Sequence, residues 1–154
     1  MCYAYTGFIR FPRVRGPYAA VCGAGAAPGH PPSGDCARDA DRLGRLYPRI
    51  PLLGVPGNCD YGSADQPERL TELGGVRILN GHTRHVKSGP MAAMYAAREC
   101  GADILLFGHT HQPLVDRSGD FWVMNPGCIG PSPRRTYGVI TLENGRVDCA
   151  ALRL

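Results

Sequence analysis

Four places along the chain join a glycine to a side chain that can bind a cation or a phosphate. They are Gly34-Asp35, Gly57-Asn58 with Asp60 close behind, Gly81-His82 preceded by Asn80, and Gly108-His109 with His111 two residues on. Glycine permits a sharp exit from a strand and a close approach of backbone to ligand. Carboxylate, carboxamide and imidazole together suit Zn, Mn, Fe or Ni better than Ca. An isolated His-x-His is weak evidence, and alone it reads as a surface loop. After a buried strand, however, residues i and i+2 can point the same way. The same pattern repeated along the chain gives His109 and His111 company that a lone pair lacks.

Side chains so far apart in sequence need elements that deliver them to one place. Short apolar runs precede most of them: Ile50–Val55 before Asn58, Val76–Leu79 before Asn80 and Ile104–Phe107 before His109. Each run is bounded by glycine or proline, as strands are. Arg38–Tyr47 carries apolar residues at helical spacing and Met91–Glu99 reads as a helix ended by Gly101. Met91, Met94 and Tyr95 are expected to be its core face. Phe121–Met124 is a further strand. Tyr137–Leu142 and Val147–Leu154 flank Glu143-Asn144-Gly145 as a hairpin with an Asn-Gly turn. Helices among early strands and a hairpin at the end predict an α/β layered domain. In such a sheet, the turns after parallel strands converge at one edge, where α/β proteins place their sites.

The composition sets limits. The chain has 154 residues, of which 44% are hydrophobic and 19% charged, the profile of one globular domain with a proper core. No apolar run reaches the length of a membrane span. The 7 cysteines are odd in number and contain no Cys-x-x-Cys pair, which argues against a disulfide scaffold and fits a reducing cytoplasm. The net charge of +4 points weakly to nucleic acid. Part of the excess lies in Arg10, Arg13 and Arg15, and no basic-aromatic pattern accompanies it, so no nucleic-acid partner is expected. Residues 1–34 stand apart, being rich in Gly, Pro, Ala and Arg and containing no acidic residue.

Gly34-Asp35, Gly-Asn-Cys-Asp at 57–60, Asn-Gly-His at 80–82, Gly-His-Thr-His-Gln-Pro at 108–113 and Asn-Pro-Gly-Cys at 125–128 resemble the ordered motifs of the calcineurin-like metallophosphoesterases. The likeness is to their small YfcE-type bacterial phosphodiesterase branch, from about Gly34 to the C-terminus. The resemblance implies a two-sheet αββα sandwich flanked by helices, with a two-metal site at the strand ends. It makes Asp35 the carboxylate bridging both metals, Asn58 and His109 ligands of the second and His111 a ligand of the first. Asn58 and His82 would also serve catalysis, His82 as phosphate contact or general acid. The metals, manganese first with nickel, iron or zinc as alternatives, would activate a water for attack on a small phosphoester. Asp60 supports the site or takes part in it. A second copy of the chain is a candidate partner, and a membrane is not.

Two departures from that pattern bear on function. Asn80 stands where the family has a metal-binding His, and an amide oxygen is a poorer ligand for these metals than imidazole. The family also opens with a strand ending in Asp-x-His, and residues 1–34 contain no Asp. Back-translated and read one base later, residues 1–14 permit Met-Arg-Ile-Leu-Val-Leu-Ser-Asp-Ser-His-Gly. His30–Gly34 permits Ile-Leu-His-Leu-Gly, running straight into Asp35. The leader therefore reads as an out-of-frame translation of the family's first strand and helix. An irregular leader at 1–34 and a metallophosphoesterase domain at 35–154 are expected. The same fold also serves as a non-catalytic protein-binding subunit in retromer, so a scaffold with a degraded metal site is the competing function. Sequencing the coding DNA across codons 1–36 is expected to reveal Asp-x-His in the neighbouring frame. A gene with no such frame overturns this reading of the leader.

Overall fold

The run at 104–107 has no polar face, and this decides where it goes. In the computed structural model, which describes residues 5–10, 19–23, 45–46, 48, 52–56, 66–81, 86–128, 134–143 and 145–154, all of Ile104–Phe107 is buried in the middle of a sheet. The described strands are β1 (Tyr5–Arg10), β2 (Ala19–Gly23), β3 (Leu52–Val55), β4 (Glu68–Leu73), β5 (Val76–Gly81), β6 (Ile104–Phe107), β7 (Leu114–Ser118), β8 (Phe121–Asn125), β9 (Thr136–Glu143) and β10 (Arg146–Arg153). Helix α1 (Met91–Glu99) follows a short 3₁₀ turn at Val86–Ser88.

The strands form two five-stranded sheets, β10-β9-β1-β2-β3 and β4-β5-β6-β8-β7. Side-chain alternation along β6 then builds two cores. Ile104 and Leu106 join Val76, Ile78 and Met124 against Ile140, Leu142 and Cys149 of the other sheet. Leu105 and Phe107 face the opposite way and pack with Leu79, Val123, Ala93 and Ala97 beneath α1. Burying each of these large side chains contributes about 1.5–3 kcal/mol, so β6, apolar on both faces, is tied to the centre.

α1 follows the expected bounds but turns a different face inward. Ala93 and Ala97 are buried, Met94 is half-buried, and Met91 and Tyr95 are 57% and 64% exposed. The expectation that Met91 and Tyr95 belong to the core is therefore corrected. Two alanines four residues apart let the helix lie close on the sheet, and residues two positions away lie about 200° round the axis. The helix ends as Gly101 predicts. At φ +67° its N–H donates to the Arg98 carbonyl, and the Ala102 N–H donates to the Ala97 carbonyl at 2.8 Å, a Schellman closure. Arg98 lies over the Phe121 ring at 4.9 Å.

The edge strands β4 and β7 were not legible. All five residues of β7 are exposed, and β4 has half its residues exposed and none buried, so neither carries a clear hydrophobic alternation, as befits edges. The leader, read from its composition as largely irregular, contains two strands among its described residues. Tyr5–Arg10 and Ala19–Gly23 are strands. β1 runs parallel to β9 from Gly7↔Gly138 to Arg10↔Thr141, and antiparallel to β2. β2 in turn runs parallel to β3. A sheet ladder is made by backbone groups, so a short stretch of modest apolarity can occupy the gap between β9 and β3. In the Arg38–Tyr47 helix, only Arg45 and Leu46 are among the described residues, and they are helical.

The two sheets approach closely at Gly138. A Cβ there would collide with the methyl of Met124 and stand 2.8 Å from Cβ of Pro126. Gly138→Ala is expected to lower stability by about 1–3 kcal/mol through overpacking, read as the shift in urea-unfolding midpoint. An unchanged midpoint overturns this reading of the interface.

Candidate metal centre

Strands β5, β6 and β8 run parallel, so their C-terminal ends share one edge. The register places Asn80 opposite Leu106, Gly81 opposite Phe107 and Leu106 opposite Met124. The segments leaving at that level are Asn80-Gly81, Gly108–His111 and Asn125–Cys128. A cleft of about 620 Å³ lined by Val76, Asp103, Arg117, Trp122, Arg146 and Val147 lies at the opposite, N-terminal ends of the same strands. The histidines are not in it.

The exit of β6 is a strained turn. The Thr110 N–H donates to the Gly108 carbonyl at 2.8 Å, with His109 between them at φ +67°. This is the positive-φ γ-turn, the rare and strained form. His111 is also left-handed, at φ +58°. The left-handed residues here are thus the histidines themselves, whereas Gly108 is not among the positive-φ glycines. The two imidazoles are brought together by this folded backbone and not by strand alternation, because β6 ends at Phe107. Their proximity has an electrostatic signature. Desolvation chiefly, and then the neighbouring His109, hold the His111 pKa below its ordinary 6.5. His111 is therefore biased toward the neutral imidazole that a metal requires.

A neighbouring side chain holds the turn. Asn125, at the end of β8, is fully buried. Its Nδ2 donates to the Gly108 carbonyl at 3.2 Å and to Thr110 Oγ1 at 2.9 Å. Its Oδ1 accepts from the Gly127 N–H at 2.9 Å. Two left-handed non-glycine residues cost roughly 2–4 kcal/mol together. Three hydrogen bonds at about 0.5–1.5 kcal/mol each offset most of this. Gly127, at φ +86°, is in turn required, since a Cβ there would strike Thr136 Oγ1 and lie 3.3 Å from Pro113 Cδ. Thr136 Oγ1 accepts from the Cys128 N–H at 3.3 Å, and the Thr136 N–H donates to the Cys128 carbonyl at 2.9 Å. The loop after β8 is thereby clasped to the start of β9.

Of the residues singled out in the sequence, His109 and His111 are adjacent, and Asn80 sits buried at 3% exposure on the same sheet edge with polar contacts of its own. Asp35, Asn58, Asp60 and His82 lie outside the described residues. Among the described residues, no group of three His, Cys, Asp or Glu converges. Two imidazoles, that of His111 biased toward its neutral form, with a nearby amide nevertheless fit part of a site for a borderline divalent metal. Sequence reasoning quoted Asn125 within a motif but gave it no role, and it passed over Thr136. Their signal was present in Asn-Pro-Gly after a strand, a turn motif whose Asn can bond backbone nearby. It also passed over Glu68, a half-buried carboxylate carried to this edge by its pairing with Gly81.

A profile of the calcineurin-like phosphoesterase superfamily domain matches residues 32–145. The probable metallophosphoesterase YsnB of Bacillus subtilis (strain 168) is 37% identical over 108 residues, covering 67% of this chain and 62% of that protein. The phosphodiesterase YfcE of Escherichia coli (strain K12) is 26% identical over 130 residues, covering 75% and 64%. The chain thus spans less than two thirds of the length of either relative. Among solved structures, a predicted phosphoesterase from Streptococcus pneumoniae TIGR4 has a TM-score of 0.60 at 16% identity, covering 99% of this chain and 100% of that one. Vps29 of Entamoeba histolytica, complexed with zinc, has a TM-score of 0.56 at 19% identity, covering 73% and 75%. At these identities the solved structures speak for the fold alone. With the profile covering most of the chain, this protein belongs to the calcineurin-like phosphoesterase superfamily.

Proposed function

We propose that this domain hydrolyses a small phosphoester of the phosphodiester class with a divalent metal, manganese first, and that the chain carries an incomplete form of the site. The observation that carries the reading is the strained Gly108–His111 turn, in which two coupled imidazoles occupy left-handed backbone held by a buried asparagine. Strain of this kind persists where the surroundings over-determine it, and such positions cluster at functional sites.

When bound, a divalent metal supplies positive charge against phosphate oxygens and lowers the pKa of a water. The chain's own part is to hold it. His109 and His111 offer imidazole nitrogens, with Asp35 and Asn58 as further donors and Asn80 as a weaker amide donor. His82 would meet the phosphate or donate a proton to the leaving group. The domain names of the relatives support the chemistry, and that of YfcE supports a diester substrate. The profile's start at residue 32 supports an out-of-frame origin for the leader. Strands β1 and β2 fill sheet positions but contain neither Asp nor His, so they add no carboxylate or imidazole. The odd number of cysteines, 7, without a Cys-x-x-Cys pair supports a reducing compartment, the cytoplasm.

A second reading, a non-catalytic scaffold, draws on Asn80, an amide where the family has imidazole. Hydrolysis of bis-p-nitrophenyl phosphate separates the two. The chain is expected to turn over weakly with added manganese, to lose that activity in EDTA and to hold fewer than two metals. Restoring Asp-x-His at the end of the first strand is expected to raise both turnover and metal content. No hydrolysis after restoration favours the scaffold, and activity undiminished by EDTA overturns the metal reading.

The pH dependence has a definite sign. His111 has a lowered pKa in the fold, so the folded state favours its neutral form. That contribution is present above the ordinary value and is lost as pH falls through it toward the lowered one. Manganese binding is expected to persist at pH 7 and weaken progressively below about 6.5, measured by titration calorimetry across pH. Binding that strengthens with acidity overturns the assignment of His111 as a ligand.

A further inference from the structure

The Gly108–Thr110 turn has two ends, and one buried side chain bonds both. Asn125 Nδ2 donates one hydrogen to the carbonyl that opens the turn, Gly108 at 3.2 Å, and the other to the side chain that closes it, Thr110 Oγ1 at 2.9 Å. The Gly108 carbonyl thereby accepts twice, from Asn125 and from the Thr110 N–H at 2.8 Å, using both of its lone pairs. His109 lies between the two bonded points. The Asn125 side chain cannot turn away, because its Oδ1 is held by the Gly127 N–H at 2.9 Å. Gly127 is itself confined by Thr136 and Pro113. The chain of contacts therefore runs from the start of β9 through the loop after β8 to the backbone carrying both histidines.

We propose that Asn125, acting with Thr110, is the positioning residue of the His109–His111 pair: it staples the strained turn from outside and so presets the backbone from which the two imidazoles receive a divalent cation. The metal half of this proposal rests on the function proposed above, while the stapling half does not. Asn is suited to the position because only a carboxamide offers two donors and an acceptor on one short, uncharged stem. Asp would lose both donors and bury a charge, and Gln would be too long for the space between three fixed partners.

The test uses Thr110, since replacing Asn125 in the core risks unfolding the chain. Thr110→Val removes the hydroxyl acceptor while keeping the shape, and Thr110→Ser keeps the hydroxyl as a rescue. The stapling half is read without metal, from the backbone chemical shifts of His109 and His111, which report their left-handed conformation. Thr110→Val is expected to move both sets of shifts with little change in thermal midpoint, and Thr110→Ser to restore them. Unchanged histidine shifts in Thr110→Val overturn the proposal, as does a loss of shifts that merely follows global unfolding. The metal half is read with Co²⁺ alone, by titration and by its visible absorption. Thr110→Val is expected to weaken Co²⁺ binding by about 10- to 100-fold, the usual effect of disturbing a group that orients ligands, with an altered spectrum. Undiminished affinity overturns the presetting of the metal site. If the parent chain binds no Co²⁺, the presetting claim and the metal reading both fail, and the metal-free shifts still decide the staple.

Discussion

Asn125 bridges the exits of β6 and β8, and its carboxamide converts a strained turn into a fixed one. Without it, Gly108 and Thr110 would each have an acceptor facing a buried donor site left empty, and the γ-turn at His109 would stand on its own backbone bond. The dependence extends outward. Asn125 is held by Gly127, Gly127 by its contact with Thr136, and Thr136 by β9, which lies in the other sheet. The geometry of two histidines after β6 thus depends on how the sheets are docked, and Gly138 sets that docking by allowing Met124 and Pro126 to come close.

The docking in turn rests on the two-faced burial of β6. A strand apolar on one face can sit at a sheet surface, but Ile104–Phe107 must be covered on both. The second sheet covers one side and the alanine face of α1 the other. This is why the helix presents Ala93 and Ala97 inward while its larger apolar residues, Met91 and Tyr95, stay outside. Close approach was worth more here than bulk. Cys149 lies in the inter-sheet core, where desolvation chiefly, with Asp148 beside it, pushes its thiol up to about 12. It therefore acts as a small apolar filler and not as a nucleophile.

Much of the fold was legible because its information is local. Ile104–Phe107, Met91–Glu99, the terminal hairpin and Gly101 as a helix stop all follow from short-range pattern, and all appear where expected. The edge strands β4 and β7 did not, because an exposed edge has no need of alternation. The strands in the leader did not either. Tyr5–Arg10 and Ala19–Gly23 gain their structure from the neighbours that flank them, and a composition rich in Gly, Pro and Ala says nothing of an open ladder waiting alongside.

For the site, the sequence by itself determined which groups were available: imidazoles at 109 and 111, amides at 80 and 125, and the family motifs around them. It also determined what was missing, since no Asp or second imidazole cluster can be conjured from residues 1–34. Tertiary structure alone decided that His109 and His111 would stand in left-handed backbone, and that the neighbouring glycine would not. It alone recruited Asn125 from 14 residues past His111 to hold them. The physical reason is one of range. Side-chain chemistry and helical or strand periodicity are written within a few residues, whereas a strained turn exists only when a partner distant in the chain supplies the hydrogen bonds that offset its cost.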